Sequence, residues 1–135
     1  PRHVRIISSI KKHTDAKIYM HSDGAIFDLI PDLIDAGVDI LNPVQPLAAG
    51  MESERLKKTY GDRLCFHGGI DQQQALAFGS AQDVEEEVRT RIRALGAGGG
   101  YIVAPSNNLQ PDVPPENIIA LFRGARKWGK YPLGS

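Results

Sequence analysis

Cysteine is almost missing from this chain: Cys65 is the single one in 135 residues. That excludes an internal disulfide, and with one thiolate available it also excludes thiolate-rich zinc ribbons and cysteine-held iron–sulfur clusters. Set between Leu64 and Phe66, Cys65 reads as a buried strand position, not as a reactive thiol. Net charge is missing too, because Lys plus Arg and Asp plus Glu stand at 16 each. Nothing in that balance asks for nucleic acid or an anionic membrane as partner. The basic residues Arg2, Arg5, Lys11 and Lys12 read as the solvated face of a helix. No run of 18 apolar residues occurs and no segment resembles a signal peptide, so no membrane partner and a cytoplasmic location are expected. Walker loops, dinucleotide fingerprints and serine elbows are also absent. The triple glycine Gly98-Gly99-Gly100 precedes an apolar run instead of linking a strand to a helix, which makes it a turn and not a phosphate loop.

What the chain does have is four short apolar runs, each ending in polar, turn-forming residues. Lys17 to Met20 runs into His21-Ser22-Asp23-Gly24; Val38 to Leu41 into Asn42-Pro43-Val44-Gln45; Leu64 to Phe66 into His67-Gly68-Gly69-Ile70-Asp71; Tyr101 to Ala104 into Pro105-Ser106-Asn107-Asn108. Helical spacing fills the intervals. A first helix carries Val4, Ile7 and Ile10; a second carries Ile26, Leu29, Ile30, Leu33 and Ile34, with Pro31 in its first turns and Gly37 as cap. Glu52 to Tyr60 forms a third with Leu56 and Tyr60 inward. A fourth starts at a Ser80/Asp83 box, buries Val84, Val88, Ile92 and Leu95, pairs Glu85 with Arg89 and Glu87 with Arg91, and is capped by Gly96. The last begins at Pro114-Pro115 and turns Ile118, Phe122 and Ala125 inward. None of the strands alternates in the manner of a half-wet sheet, so the prediction is a single α/β domain, residues 1–135, built on a parallel sheet with helices over it. Periodicity leaves two architectures open, a four-stranded open sheet and half of a closed barrel.

In such folds ligand groups gather at the carboxyl ends of the strands. His21 and Asp23, two apart at a strand end, can converge on one metal ion or substrate; the competing reading makes Asp23 a helix cap and His21 an ordinary pocket residue. His67 repeats the arrangement, with Gly68-Gly69 allowing close backbone approach and Asp71 supplying a carboxylate. Asn42, Gln45, Ser106, Asn107 and Asn108 add neutral hydrogen-bonding groups that serve either a ligand or their own turns.

Four strings then carry a resemblance. His21-Ser22-Asp23-Gly24, the run from Gly37 to Pro46, Phe66-His67-Gly68-Gly69-Ile70-Asp71, and the run from Pro105 to Asn117 resemble, in order, the C-terminal half of the uroporphyrinogen decarboxylase superfamily. That superfamily holds (β/α)8 barrels, both decarboxylases of tetrapyrrole biosynthesis and cobalamin-dependent methyltransferases, so the resemblance implies a parallel (βα)4 unit that is half a TIM barrel. In the methyltransferase branch the first loop is His-x-Cys and the last loop brings a second Cys, together binding zinc. Here His21 matches, while Asp23 stands at the cysteine position and Asn107 near the other. In the decarboxylase branch a last-loop histidine sits beside the substrate carboxylates, and Asn107 replaces it.

The resemblance therefore implies a methyltransferase-like, corrinoid-linked function with an altered metal site, in which His21 and Asp23 hold zinc or another divalent metal. His21, Asp23 and His67 are the expected catalytic residues, and Gln45, Asp71, Ser106 and Asn107 the expected substrate contacts. The alternatives are uroporphyrinogen decarboxylation, which needs no cofactor, and a noncatalytic half-barrel. Expected partners are a small tetrapyrrole or corrinoid substrate, a corrinoid protein, and either a second copy or a missing N-terminal half, since the cut sheet has two open edges.

Overall fold

A computed structural model describes residues 2–133. Four strands, β1 (Tyr19–His21), β2 (Ile40–Val44), β3 (Cys65–Ile70) and β4 (Tyr101–Pro105), form one sheet in sequence order. All three pairings are parallel. Parallel neighbours cannot be joined by a tight hairpin, and each crossover here contains a helix. The helices are α1 (Arg2–Lys11), α2 (Ile30–Asp35), α3 (Ser53–Tyr60), α4 (Ala81–Gly96) and α5 (Pro115–Trp128). A 3-10 turn, Phe27–Leu29, leads into α2, whose first turn holds Pro31, and a π turn, Gln72–Leu76, stands between β3 and α4. This is the expected α/β architecture. No helix of the described residues is long and apolar enough to cross a membrane.

The strand ends differ from the expected ones. β2 runs on to Val44 and β3 to Ile70, so Asn42 to Val44 and His67 to Ile70 lie inside the strands, while Gln45 and Asp71 follow them. Pairing across the sheet is the reason: Val44 is in register with Gly68, Gly69 with Ala104 and Ile70 with Pro105, while Val44 and Ile70 are fully buried. β1 starts later than expected, at Tyr19.

The core lies between the sheet and the helices. One cluster gathers Ile30, Leu41, Leu56, Phe66 and Leu95; a second gathers Ile70, Val84, Val88 and Leu121. Burying each such side chain contributes about 1.5–3 kcal/mol. α4 buries the expected Val84, Val88, Ile92 and Leu95, and Ser80 and Asp83 form the expected capping box. Of its expected ion pairs, Glu87–Arg91 forms at 2.8 Å. Arg89 pairs instead with Glu86, and Glu85 with Lys127. Packing of α5 decides this, because the Arg89 guanidinium lies over the Trp128 ring, 4.7 Å from its centre.

Four further expectations are corrected. In α1 only Ile7 is buried; Val4 and Ile10 are exposed, because the helix meets the rest of the chain through Ile7 seated over Gly37. In α5 Phe122 is exposed, and the inward face is Asn117, Ala120, Leu121 and Gly124, a row with small residues that lets α5 approach Val88 closely. Leu29 also faces out. Gly96 is the last residue of α4 and not its cap, which is Ala97; positive φ angles follow at Gly98, Gly99 and Gly100.

Candidate active site

Neighbouring residues in register on a parallel sheet share a face, and successive residues alternate. Met20, Leu41, Phe66 and Tyr101 are in register, and the full burial of Leu41 and Phe66 marks that row as the helix side. His21, Asn42, His67 and Ile102 therefore share the other face, with Tyr19, Ile40 and Cys65 one layer nearer the amino ends. His21, Asn42 and His67 stand side by side on β1, β2 and β3.

They are joined by hydrogen bonds. Asp23 Oδ2 lies 3.2 Å from His21 Nε2, and His21 Nδ1 lies 2.7 Å from Asn42 Oδ1. Asn42 Nδ2 lies 2.6 Å from His67 Nδ1, and the Tyr19 hydroxyl is 3.4 Å from that same nitrogen. The Tyr19 and His67 rings meet edge-on. Tyr19, His21, Asn42, His67, Asn107 and Leu109 line a cavity of about 480 Å³. Burial holds the His67 imidazole below the ordinary histidine range, so its neutral form is favoured. The cluster can thus pass hydrogen bonds from a carboxylate to a neutral ring across three strands.

Glycine at 68 permits this closeness. Its φ is +109°, and a Cβ there would lie 3.0 Å from the Val44 amide nitrogen and 3.4 Å from the Pro105 carbonyl oxygen. Only a residue without a side chain lets β3 lie so near both neighbours. Its carbonyl accepts a 2.8 Å hydrogen bond from the Tyr101 hydroxyl, whose pKa burial pushes up.

The other expected contacts separate into a second group. Gln45, Asp71 and Ser106 line a smaller cavity of about 160 Å³, and a third, of about 270 Å³, is lined by Gln45, Ser106 and Asn107. Asp71 is buried and holds the π turn, accepting from the Gln73 and Ala75 amides at 2.9 and 3.2 Å. Gln45 accepts from the Gly24 amide at 2.7 Å, tying the first two loops together. Asp23 caps no helix; its partner is His21. Among the described residues no group of three His, Cys, Asp or Glu side chains comes together to hold a metal ion, and His21 and Asp23 are bonded to each other. Tyr19 was not among the expected site residues. Its position two before His21 in a strand was the available signal.

The model of the family Uroporphyrinogen decarboxylase (URO-D) matches residues 1–128. The chain belongs to the uroporphyrinogen decarboxylase family. A uroporphyrinogen decarboxylase of Serratia proteamaculans is 29% identical over 76 residues, which is 56% of this chain and 21% of that protein. One of Magnetococcus marinus is 24% identical over 101 residues, 75% of this chain and 27% of that protein. Among solved structures, a methyltransferase from Methanosarcina mazei superposes with a TM-score of 0.74 at 19% identity, covering 96% of this chain and 35% of that one. The likeness to the methyltransferase is a likeness of fold. This chain matches about a fifth to a quarter of the length of its curated URO-D relatives and about a third of that structure.

Proposed function

We propose that this chain supplies part of the substrate pocket of a URO-D-family barrel, and that the pocket works as a decarboxylase by proton transfer through His67, on a small carboxylate-bearing substrate of the tetrapyrrole class. The observation that carries this is the chain of hydrogen bonds Asp23–His21–Asn42–His67 running across β1, β2 and β3 on one face of the sheet. In decarboxylation the carbon–carboxylate bond breaks, CO2 leaves, and the electron pair remaining on the substrate carbon takes up one proton. The imidazolium form of His67 can donate that proton, leaving the neutral ring, which solvent then reprotonates. The single thiol, Cys65, lies one layer below His67 on the same face of β3, where burial pushes its pKa up and favours the uncharged thiol.

A second reading, corrinoid-linked methyl transfer with a metal at His21 and Asp23, is favoured by the match of His21 to the histidine of the methyltransferase pattern. Catalytic zinc takes three protein ligands, so this reading needs a third donor beside His21 and Asp23. In both readings the pocket is shared. A TIM-type site is assembled from eight loops, this chain provides four, and either the other half of the barrel or a second copy supplies the rest.

The test is CO2 release from uroporphyrinogen by the protein in the assembly it forms, with and without chelator, beside His67→Gln. Release that ignores chelator and falls about a hundredfold in His67→Gln agrees with the proposal. Methyl transfer abolished by chelator, with no CO2 release, overturns it in favour of the second reading.

A further inference from the structure

We propose that the cavity of about 270 Å³ among the loops that follow β2, β3 and β4 is a subsite for an uncharged primary carboxamide arm of a ligand, and that it rejects a carboxylate arm. The inference goes beyond the acid–base reading above and does not rest on it. The reacting carboxylate of that reading belongs beside His67, in the neighbouring cavity, which meets this one at Asn107.

Gln45, Gln72, Ser106, Asn107, Gln110 and Asp112 stand in the wall. Backbone groups set which way four of these side chains are turned, because a backbone N–H only donates and a backbone carbonyl only accepts. The Gly24 amide donates to Gln45 at 2.7 Å and the Asn108 amide to Asn107 at 2.8 Å, so the side-chain oxygens there are engaged and the NH2 groups are left for a ligand. The Asn108 carbonyl accepts from Gln72 and, at 3.2 Å, from Gln110, so there the nitrogens are engaged and the oxygens are left. Gln72 Oε1 is buried with no donor among the described residues, a demand that only an N–H or O–H from outside the chain meets.

The wall thus offers two NH2 donors and two carbonyl acceptors, with the Ser106 hydroxyl able to serve either way. Its ionisable group is Asp112, and among the described residues no lysine or arginine lines this cavity or the two beside it. A primary carboxamide brings a carbonyl oxygen and an NH2 group, and so matches both kinds of partner at once. A carboxylate brings two oxygens that only accept, and its charge would face the Gln72 and Gln110 oxygens and Asp112 with no cation to offset it. An alkylammonium brings donors alone and leaves Gln45 and Asn107 without an acceptor.

The experiment is a proton–nitrogen correlation titration of the ¹⁵N-labelled protein, in the assembly it forms, with propionamide, propionate and propylammonium at neutral pH. The side-chain NH2 signals of Gln45 and Asn107 are followed. Propionamide should shift both saturably, with a Kd of about 1–30 mM for so small a probe, and each charged probe should bind at least about tenfold more weakly. Asp112→Lys, at an exposed position, should bring propionate to within about threefold of propionamide. A charged probe that binds the unaltered protein as tightly as propionamide overturns the proposal. So does propionamide that shows no saturation by about 0.3 M, or that shifts only the signals of Tyr19, Asn42 and His67. An Asp112→Lys that prefers propionamide as strongly as before overturns the rejection of carboxylates. Because no turnover is measured, each of these failures leaves the decarboxylase reading standing.

Discussion

Replacing Gly68 by alanine, with Gly98→Ala as its control, asks whether the approach of β3 to its neighbours is what brings His67 to Asn42. Both glycines have positive φ, +109° and +73°, but a Cβ at Gly98 would meet nothing within 4 Å, whereas at Gly68 it would meet backbone atoms of β2 and β4. Alanine at Gly98 costs roughly 1–2 kcal/mol for the left-handed backbone, offset by about 0.4–1 kcal/mol from a less flexible unfolded chain. Alanine at Gly68 carries a backbone cost of about 1–3 kcal/mol and a similar cost of overpacking, against the same offset. Backbone cannot rotate out of the way as a side chain can, so the strands must part, and the 2.6 Å bond from Asn42 to His67 lengthens. The expected difference between the two variants is about 2–3 kcal/mol, read from urea midpoints at unchanged slope. Equal losses in the two variants would refute the reasoning.

Asn117 is 1% exposed and its amide donates to the Leu76 and Gly79 carbonyls at 3.0 and 2.7 Å, so Asn117→Ala should cost about 2–4 kcal/mol in the same assay; a loss under about 1 kcal/mol would show those bonds to be replaceable. Val88→Ala, at a fully buried position facing Gly124, should cost about 2–3 kcal/mol from lost transfer energy and the hole left behind, and a neutral result would mean that α5 collapses onto α4. The pH dependence follows from His67, whose folded-state pKa is lowered by burial. The unfolded chain then binds the proton more tightly, so its contribution is present above about pH 6.5 and lost as pH falls below it. His67→Gln should flatten that part of the stability profile, and an unchanged slope would place the titration on another group.

The amino-acid sequence determined what is encoded within a few residues. The inward stripe and Ser80/Asp83 box of α4, the order of strands and helices, and the motifs that place the chain in the URO-D family were all legible there. Tertiary structure decided what depends on partners far along the chain. Asn42 meets His21 across 21 residues and His67 across 25, and no local periodicity registers such a pairing. The same holds for Asp71, whose carboxylate accepts from the Gln73 and Ala75 amides of an unforeseen π turn, and for Phe122 and Val4, apolar residues at helical spacing that face outward. Helical spacing shows that a stripe exists. Which neighbour covers it, and which donor faces which acceptor across the strands, is set by parallel register and by close approach at residues such as Gly68, and these exist only in the folded chain.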